Sequence, residues 1–157
     1  MPRIAVSGHR DLPAGTVLLV DEAIRSAMSD HAAGVTGLSC LADGADQIFA
    51  RAVVDLGGEI EAVVPAEQYR DGLPRQAHGE YDRLLAKAVA VHRLPFTEST
   101  PEAHMAASKL MIREANELYA IWDRPARGYG GTADVVAHAC ERGLPVLVIW
   151  PEGARRN

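Results

Sequence analysis

A chain of 157 residues, 48% hydrophobic and 24% charged, has room for one compact core that buries on the order of 70% of its unfolded surface, and is excluded from the disordered and low-complexity classes. A formal charge of −5 argues against a broad surface for polyanionic nucleic acid. No apolar run approaches the roughly twenty residues of a membrane span, so a cytoplasmic protein with no membrane partner is expected.

Residues 3–7 (RIAVS) form a short apolar, β-prone run that stops at Gly8, and Pro13 and Gly15 then break the chain before a helix capped near Thr16. Val17, Val20, Ile24, Ala27 and Met28 recur at helical spacing. Residues 35–41 (VTGLSCL) read as a second buried strand, followed by a helix whose stripe is Ala45, Ile48, Phe49, Ala52, Val53 and Leu56. Residues 59–65 give a third strand closed by proline. The stretch 66–79 has no sustained period and predicts a surface loop with one short helix; a helix at 80–87 and a fourth strand at 88–94 follow.

Thr100 and Pro101 mark a helix start, with the helix running to about Asn116 and Met111 and Ala115 on its inner face. Residues 118–122 (LYAIW) are a fifth strand. The glycine-rich stretch 128–134 (GYGGTAD) leads into a last helix with Val135, Val136, Ala139 and Cys140 on its apolar side, and residues 146–150 (VLVIW) are a sixth strand. Residues 1–150 are thus expected to be one domain and 151–157 a polar tail. Cys40 and Cys140, lacking CxxC spacing, are expected as reduced, packed thiols.

Short apolar strands alternating with helix-length segments predict an α/β fold: a Rossmann-like, doubly wound parallel sheet of about five to seven strands in a three-layer α/β/α arrangement. Ligands in such sheets sit beyond the carboxyl ends of the strands. The richest turns here are of that type: SGHRD after the first strand, LADGAD after the second and DRPARGYGGT after the fifth. Gly128, Gly130, Gly131 and Thr132 place backbone N–H groups at a helix start, suited to a phosphate. Ser7, Gly8, His9 and Arg10 offer a hydroxyl, an accessible backbone, an imidazole and a guanidinium, although Arg10 can equally pair with Asp11 or Asp43.

Asp134, in the first turn of the last helix, suits a ribose hydroxyl or simply the helix dipole. Asp43, Gly44 and Asp46 build the second turn, with Asp46 either capping it or holding a sugar. Arg113 and Asn116 share a face with Lys109, and approach the glycine loop if their helix packs beside the last one; otherwise Arg113 is solvated and Asn116 ends its helix. Asp123 and Arg127 are further edge candidates, Asp123 alternatively forming the turn before Pro125. Trp122 and Trp150 read as core or subunit-interface residues, which makes a homodimer plausible, and Tyr69 and Tyr81 are the aromatic candidates for a base. No HxH, HExxH, GxSxG or GxGxxG pattern occurs, so neither a metal site, acyl hydrolysis nor hydride transfer is expected.

Three segments, SGHR, SCLADGADQIFA and LYAIWDRPARGYGGTADVVAHACERGLPVLVIW, resemble the SLOG superfamily of Rossmann-like domains, which joins the DNA-processing Smf/DprA proteins and the LONELY GUY (LOG) phosphoribohydrolases. The resemblance implies a site for a nucleotide or nucleotide derivative, such as AMP or an ADP-ribose-like molecule, with no further cofactor. LOG hydrolases carry PGGxGTxxE, its Glu serving hydrolysis, and an Arg-Lys pair in the preceding helix. Thr132 matches the motif's Thr, but Val135 stands at the Glu position and Asp134 one residue early; the Arg-Lys pair falls on Ala107 and Ser108. A non-catalytic binding or sensor domain is therefore expected. The alternatives are a phosphoribohydrolase with Asp134 as catalytic residue, aided by Lys109 or Arg113, and Smf/DprA-type DNA binding.

Overall fold

The structure is a computed structural model that describes residues 1–31, 33–125 and 131–157. Its elements run β1 (Arg3–Gly8), α1 (Ala14–Met28), β2 (Thr36–Ser39), α2 (Ala45–Asp55), β3 (Glu59–Ala66), α3 (His78–Lys87), β4 (Ala90–Phe96), α4 (Pro101–Glu114), β5 (Glu117–Ile121), α5 (Thr132–Glu141) and β6 (Val146–Ile149). The six strands form one parallel sheet in the order β4-β3-β2-β1-β5-β6. This is the expected Rossmann-like α/β fold. Right-handed crossovers put α1, α2 and α3 on one face of the sheet and α4 and α5 on the other.

Burial on both faces accounts for the unbroken apolar runs of the inner strands. Ile4, Ala5 and Val6 of β1 and Leu118, Tyr119, Ala120 and Ile121 of β5 are all essentially inaccessible. Phe49 of α2 meets the Tyr119 ring edge to face at 6.0 Å. The edge strand β4 alternates instead between exposed and half-buried positions. It also runs two residues further than the expected 88–94, passing through Pro95, because an edge strand can give up one ladder hydrogen bond. Pro65, expected to end β3, lies inside it where the β3/β4 register shifts between Val64 and Ala66, so the irregularity absorbs the missing N–H.

Four local expectations are revised. Thr16 is not a helix cap: Pro13 occupies that position without a side-chain bond, and Thr16 is buried, its hydroxyl donating to the Arg155 carbonyl at 2.7 Å and accepting from the Arg155 N–H at 2.9 Å. The stretch 66–79 holds two 3₁₀ turns, Arg70–Gly72 and Arg75–Ala77, before α3 begins at His78. Helix α4 stops at Glu114, and Thr100 does cap it, accepting from the Ala103 N–H at 3.1 Å. Both thiols are free, but only Cys40 is packed; Cys140 faces outward from α5.

Candidate functional site

Strands β1 to β4 are laid down in one direction across the sheet. Helix α4 then carries the chain back, so that β5 pairs with β1 on its other side. The connections leaving β1 and β5 therefore diverge to opposite faces, and a crevice opens beyond their carboxyl ends. Two of the three anticipated turns start there, and the third, after β2, adjoins them. Each contains a non-glycine residue in the left-handed region: Asp11 (φ 51°), Leu41 (φ 60°) and Arg124 (φ 84°). Conformations of this kind cost about 1 kcal/mol or more each and persist where surrounding structure enforces them.

Close packing of α2 against the end of β1 shapes the crevice. A Cβ on Gly8 would stand 2.5 Å from Cβ of Ala45 and 2.7 Å from Cβ of Ile121, so only glycine lets these elements meet. Gly44 turns the chain with φ 82°, and the Ala45 N–H donates to the His9 carbonyl at 3.1 Å. His9 is buried, with its Nε2 2.7 Å from Asp123 Oδ1 and 3.1 Å from the Asp123 backbone nitrogen. One ring nitrogen cannot donate to the carboxylate and accept from the N–H at once; the shorter contact fits a protonated Nε2. Trp150 packs edge to face on the same imidazole at 5.5 Å. This coupling fixes the β1 turn to the β5 turn.

Two cavities flank the seam. One, of about 230 Å³, lies between β1 and the start of α5 and is lined by Gly8, His9, Arg10, Trp122, Thr132 and Arg156. Helix α5 begins at Thr132 after Gly131, which supplies no side-chain cap, so the first amides of the helix face a space bordered by two guanidinium groups. Gly131 itself has φ −81° and ψ −179°, an extended conformation that any residue adopts.

The second cavity, of about 100 Å³, lies on the other side of Gly8 and Arg10, over β2 and β3, and is lined by Ser7, Asp46, Tyr69, His104 and Ser108. Burial raises the Asp46 carboxyl to about 7, opposed by the hydrogen bond from the Ala42 N–H at 3.3 Å and by nearby Arg10. Desolvation likewise pushes the Tyr69 hydroxyl and the Cys40 thiol well up, and lowers His104, whose Nε2 lies 2.8 Å from Ser99 Oγ.

The structure thus gathers Ser7, Gly8, His9, Arg10, Asp46, Asp123, Gly131 and Thr132 at one edge. Asp43 and Gly44 adjoin them, Asp43 accepting from Arg10 Nε at 2.9 Å and from the Asp11 N–H at 3.0 Å. The Nη groups of Arg10 remain without a partner among the described residues. Asp134 lies in the first turn of α5. Arg127, Gly128 and Gly130 lie outside the described residues.

Arg113 and Asn116 are not at this edge. Helix α4 runs back against the strand direction, so its last turn reaches the opposite rim, where Asn116 Oδ1 accepts from the Arg3 N–H at 2.8 Å. Arg113 and Lys109 are solvent-exposed. The α4 residues that line the second cavity are His104, Ser108 and Met111. Trp122, expected in the core or at a subunit interface, lines the α5 cavity with its indole N–H donating to the Pro125 carbonyl at 3.2 Å. Tyr81 packs behind Tyr69 and does not reach the cavity. Among the described residues no helix is long and apolar enough to cross a membrane, and no three His, Cys, Asp or Glu side chains gather as metal ligands would.

Neither a protein-family model nor a curated protein matches the sequence. Solved structures do match. DNA processing protein A (DprA) from Streptococcus pneumoniae, 19% identical, aligns with a TM-score of 0.70 over 98% of this chain and 52% of its own, so the chain spans about half the length of that relative. DprA from Helicobacter pylori, described with a single-stranded DNA binding mode, is 13% identical with a TM-score of 0.66 over 99% of this chain and 68% of that one. The molybdenum cofactor binding protein from Rippkaea orientalis is 13% identical with a TM-score of 0.60, covering 94% of this chain and 75% of its own. At these identities the likeness is one of fold: the chain has the Rossmann-like fold of the DprA and molybdenum cofactor binding proteins, the fold that the SLOG resemblance implies.

Proposed function

We propose that this protein binds a phosphorylated ribonucleoside across the β1/β5 crevice, with phosphate between β1 and α5 and the sugar or base over Asp46, Tyr69 and His104. The observation that carries this reading is that Gly8 and Arg10 line both cavities, so one ligand can occupy the two together. The chemistry of the halves differs as the parts of a nucleotide do. Guanidinium groups and helix amides border one, whereas a carboxyl, a phenol, an imidazole and a hydroxyl border the other.

Binding without cleavage is favoured by α5. Val135, at the position of the catalytic Glu in the hydrolase motif, is buried in the core with 2% of its surface accessible, and a carboxylate there would face apolar side chains. Asp134 is rotated by one residue around the helix, and the position matching the paired Lys is Ser108. Asp46, which lines the second cavity with its carboxyl raised to about 7, is poised to exchange a proton near neutral pH, so a hydrolytic version of this site would run through it.

Calorimetric titration with AMP, ADP-ribose and single-stranded DNA tests the reading, alongside chromatography for released base. Saturable heats with AMP or ADP-ribose and no free base are expected. Silence with every nucleotide at millimolar concentration would sink the proposal. Base release abolished by Asp46→Asn would convert it to a hydrolase, and retention of DNA alone would favour a DprA-like role.

A further inference from the structure

We propose that Arg156, held in place by the C-terminal residues on either side of it, is a direct ligand of the phosphate group in the cavity between β1 and α5. The proposal rests on the nucleotide reading only for the identity of the rest of the ligand.

The geometry starts from α1. Thr16, buried in the first turn of that helix, exchanges two hydrogen bonds with the backbone of Arg155. Beyond Arg156, the Asn157 side-chain amide donates to the Asp11 carbonyl at 2.7 Å, in the turn that follows Arg10. Residues 155 and 157 are therefore each tied to the β1 turn or the helix leaving it. The side chain between them lines the cavity opposite Thr132.

Arg156 Nη1 is buried and has no hydrogen-bond partner among the described residues. A cationic N–H removed from water without an acceptor is an expensive group to maintain, and the side chain that carries it lines a polar cavity. Two carboxylates of the same edge are already paired, Asp43 with Arg10 and Asp123 with His9. Among the groups that line the cavity are Arg10, Arg156 and the start of α5, which carries no side-chain cap, three donors of positive character from three separate elements. A phosphate monoester or diphosphate supplies the acceptor oxygens that these groups lack, and the planar guanidinium matches its geometry.

Calorimetry on the intact chain decides this, with pyrophosphate as the phosphate probe and adenosine and AMP as companions. Arg156→Gln is expected to weaken pyrophosphate by roughly tenfold or more, to leave adenosine unchanged, and to melt at or above the wild-type temperature because it removes an unpaired charge. Arg156→Lys should fall between the two, keeping the charge without the fork. Thr16→Val, which loosens the segment while retaining Arg156, should also weaken pyrophosphate. Equal pyrophosphate affinity for wild type and Arg156→Gln overturns the proposal, as does no binding by the wild type. A lower melting temperature in Arg156→Gln with adenosine and pyrophosphate weakened alike also overturns it, since that is a structural role. AMP bound no more tightly than pyrophosphate would instead remove the nucleotide reading and leave Arg156 as a phosphate ligand.

Discussion

Asp46 gives the sharpest physical test of the site. Its carboxyl is desolvated beneath the second cavity and titrates at about 7, against 3.8 in the absence of such an environment. The folded pKa lies above the unfolded one, so the sign is fixed. Below about pH 4 both states are protonated and Asp46 costs nothing; from pH 4 to 7 the unfolded chain ionises first, and stability falls until the folded carboxyl also ionises. At 1.36 kcal/mol per pH unit the whole interval amounts to about 4 kcal/mol, and relaxation around the charge lowers this toward about 2. Asp46→Asn keeps an acceptor for the Ala42 N–H and removes the titration. Urea unfolding of both proteins from pH 4 to 8.5 should show equal stability at the acid end and a variant more stable by about 2 to 4 kcal/mol above pH 7. Parallel curves, or a variant less stable at pH 8, would refute the desolvated carboxyl and with it the pocket that desolvates it.

Gly8→Ala inserts a methyl group against Ala45 and Ile121 and should lower stability by about 1 to 3 kcal/mol, read as a lower urea midpoint at unchanged slope, with nucleotide affinity lost in the same variant. At the opposite rim, Arg3 donates to both Glu61 oxygens at 2.8 and 3.2 Å, and His92 Nε2 lies 2.8 Å from Oε1. The Arg3 bond, then that of His92, holds the Glu61 carboxyl low, so its contribution is complete above the unfolded pKa and disappears as pH falls through the folded one. Glu61→Gln should accordingly cost about 1 kcal/mol at pH 7 and little at pH 3, measured by urea midpoints at the two pH values. Gly131→Val should keep the fold, since the backbone there is extended, while placing a branched side chain beside the phosphate cavity. Pyrophosphate titration should show roughly tenfold weaker binding, and unchanged affinity would remove the α5 start from the site.

Most of the architecture was legible because inner parallel strands announce themselves. The inner strands β1, β2, β3 and β5, and with them the edge strand β6, are short apolar runs, and each falls within a few residues of its expected span. The edge strand β4 shifted by two residues since half its side chains face solvent and its ends carry no burial signal. Thr16 misled for a different reason. A threonine near a helix start has the chemistry of a cap, and its actual partner, Arg155, is 139 positions away.

The site was legible where a turn follows a strand and obscure where a helix or the C-terminal segment completes it. Lys109, Arg113 and Asn116 share a helical face at the same spacing as His104, Ser108 and Met111, so periodicity cannot choose between them. Direction can. A crossover helix enters at the carboxyl edge of the sheet and leaves at the other, so the end of α4 is carried away from a ligand beyond the strand ends. That rule favours the face of His104, Ser108 and Met111, which lines the second cavity, over Asn116, which ends beside Arg3. Arg156 had no such signal, because its position depends on Thr16 and Asp11 holding the residues around it. The lining of the cavity between β1 and α5 therefore depends on contacts between residues far apart in the sequence. A change at Thr16, in a helix that contributes no ligand, should consequently be felt at the phosphate.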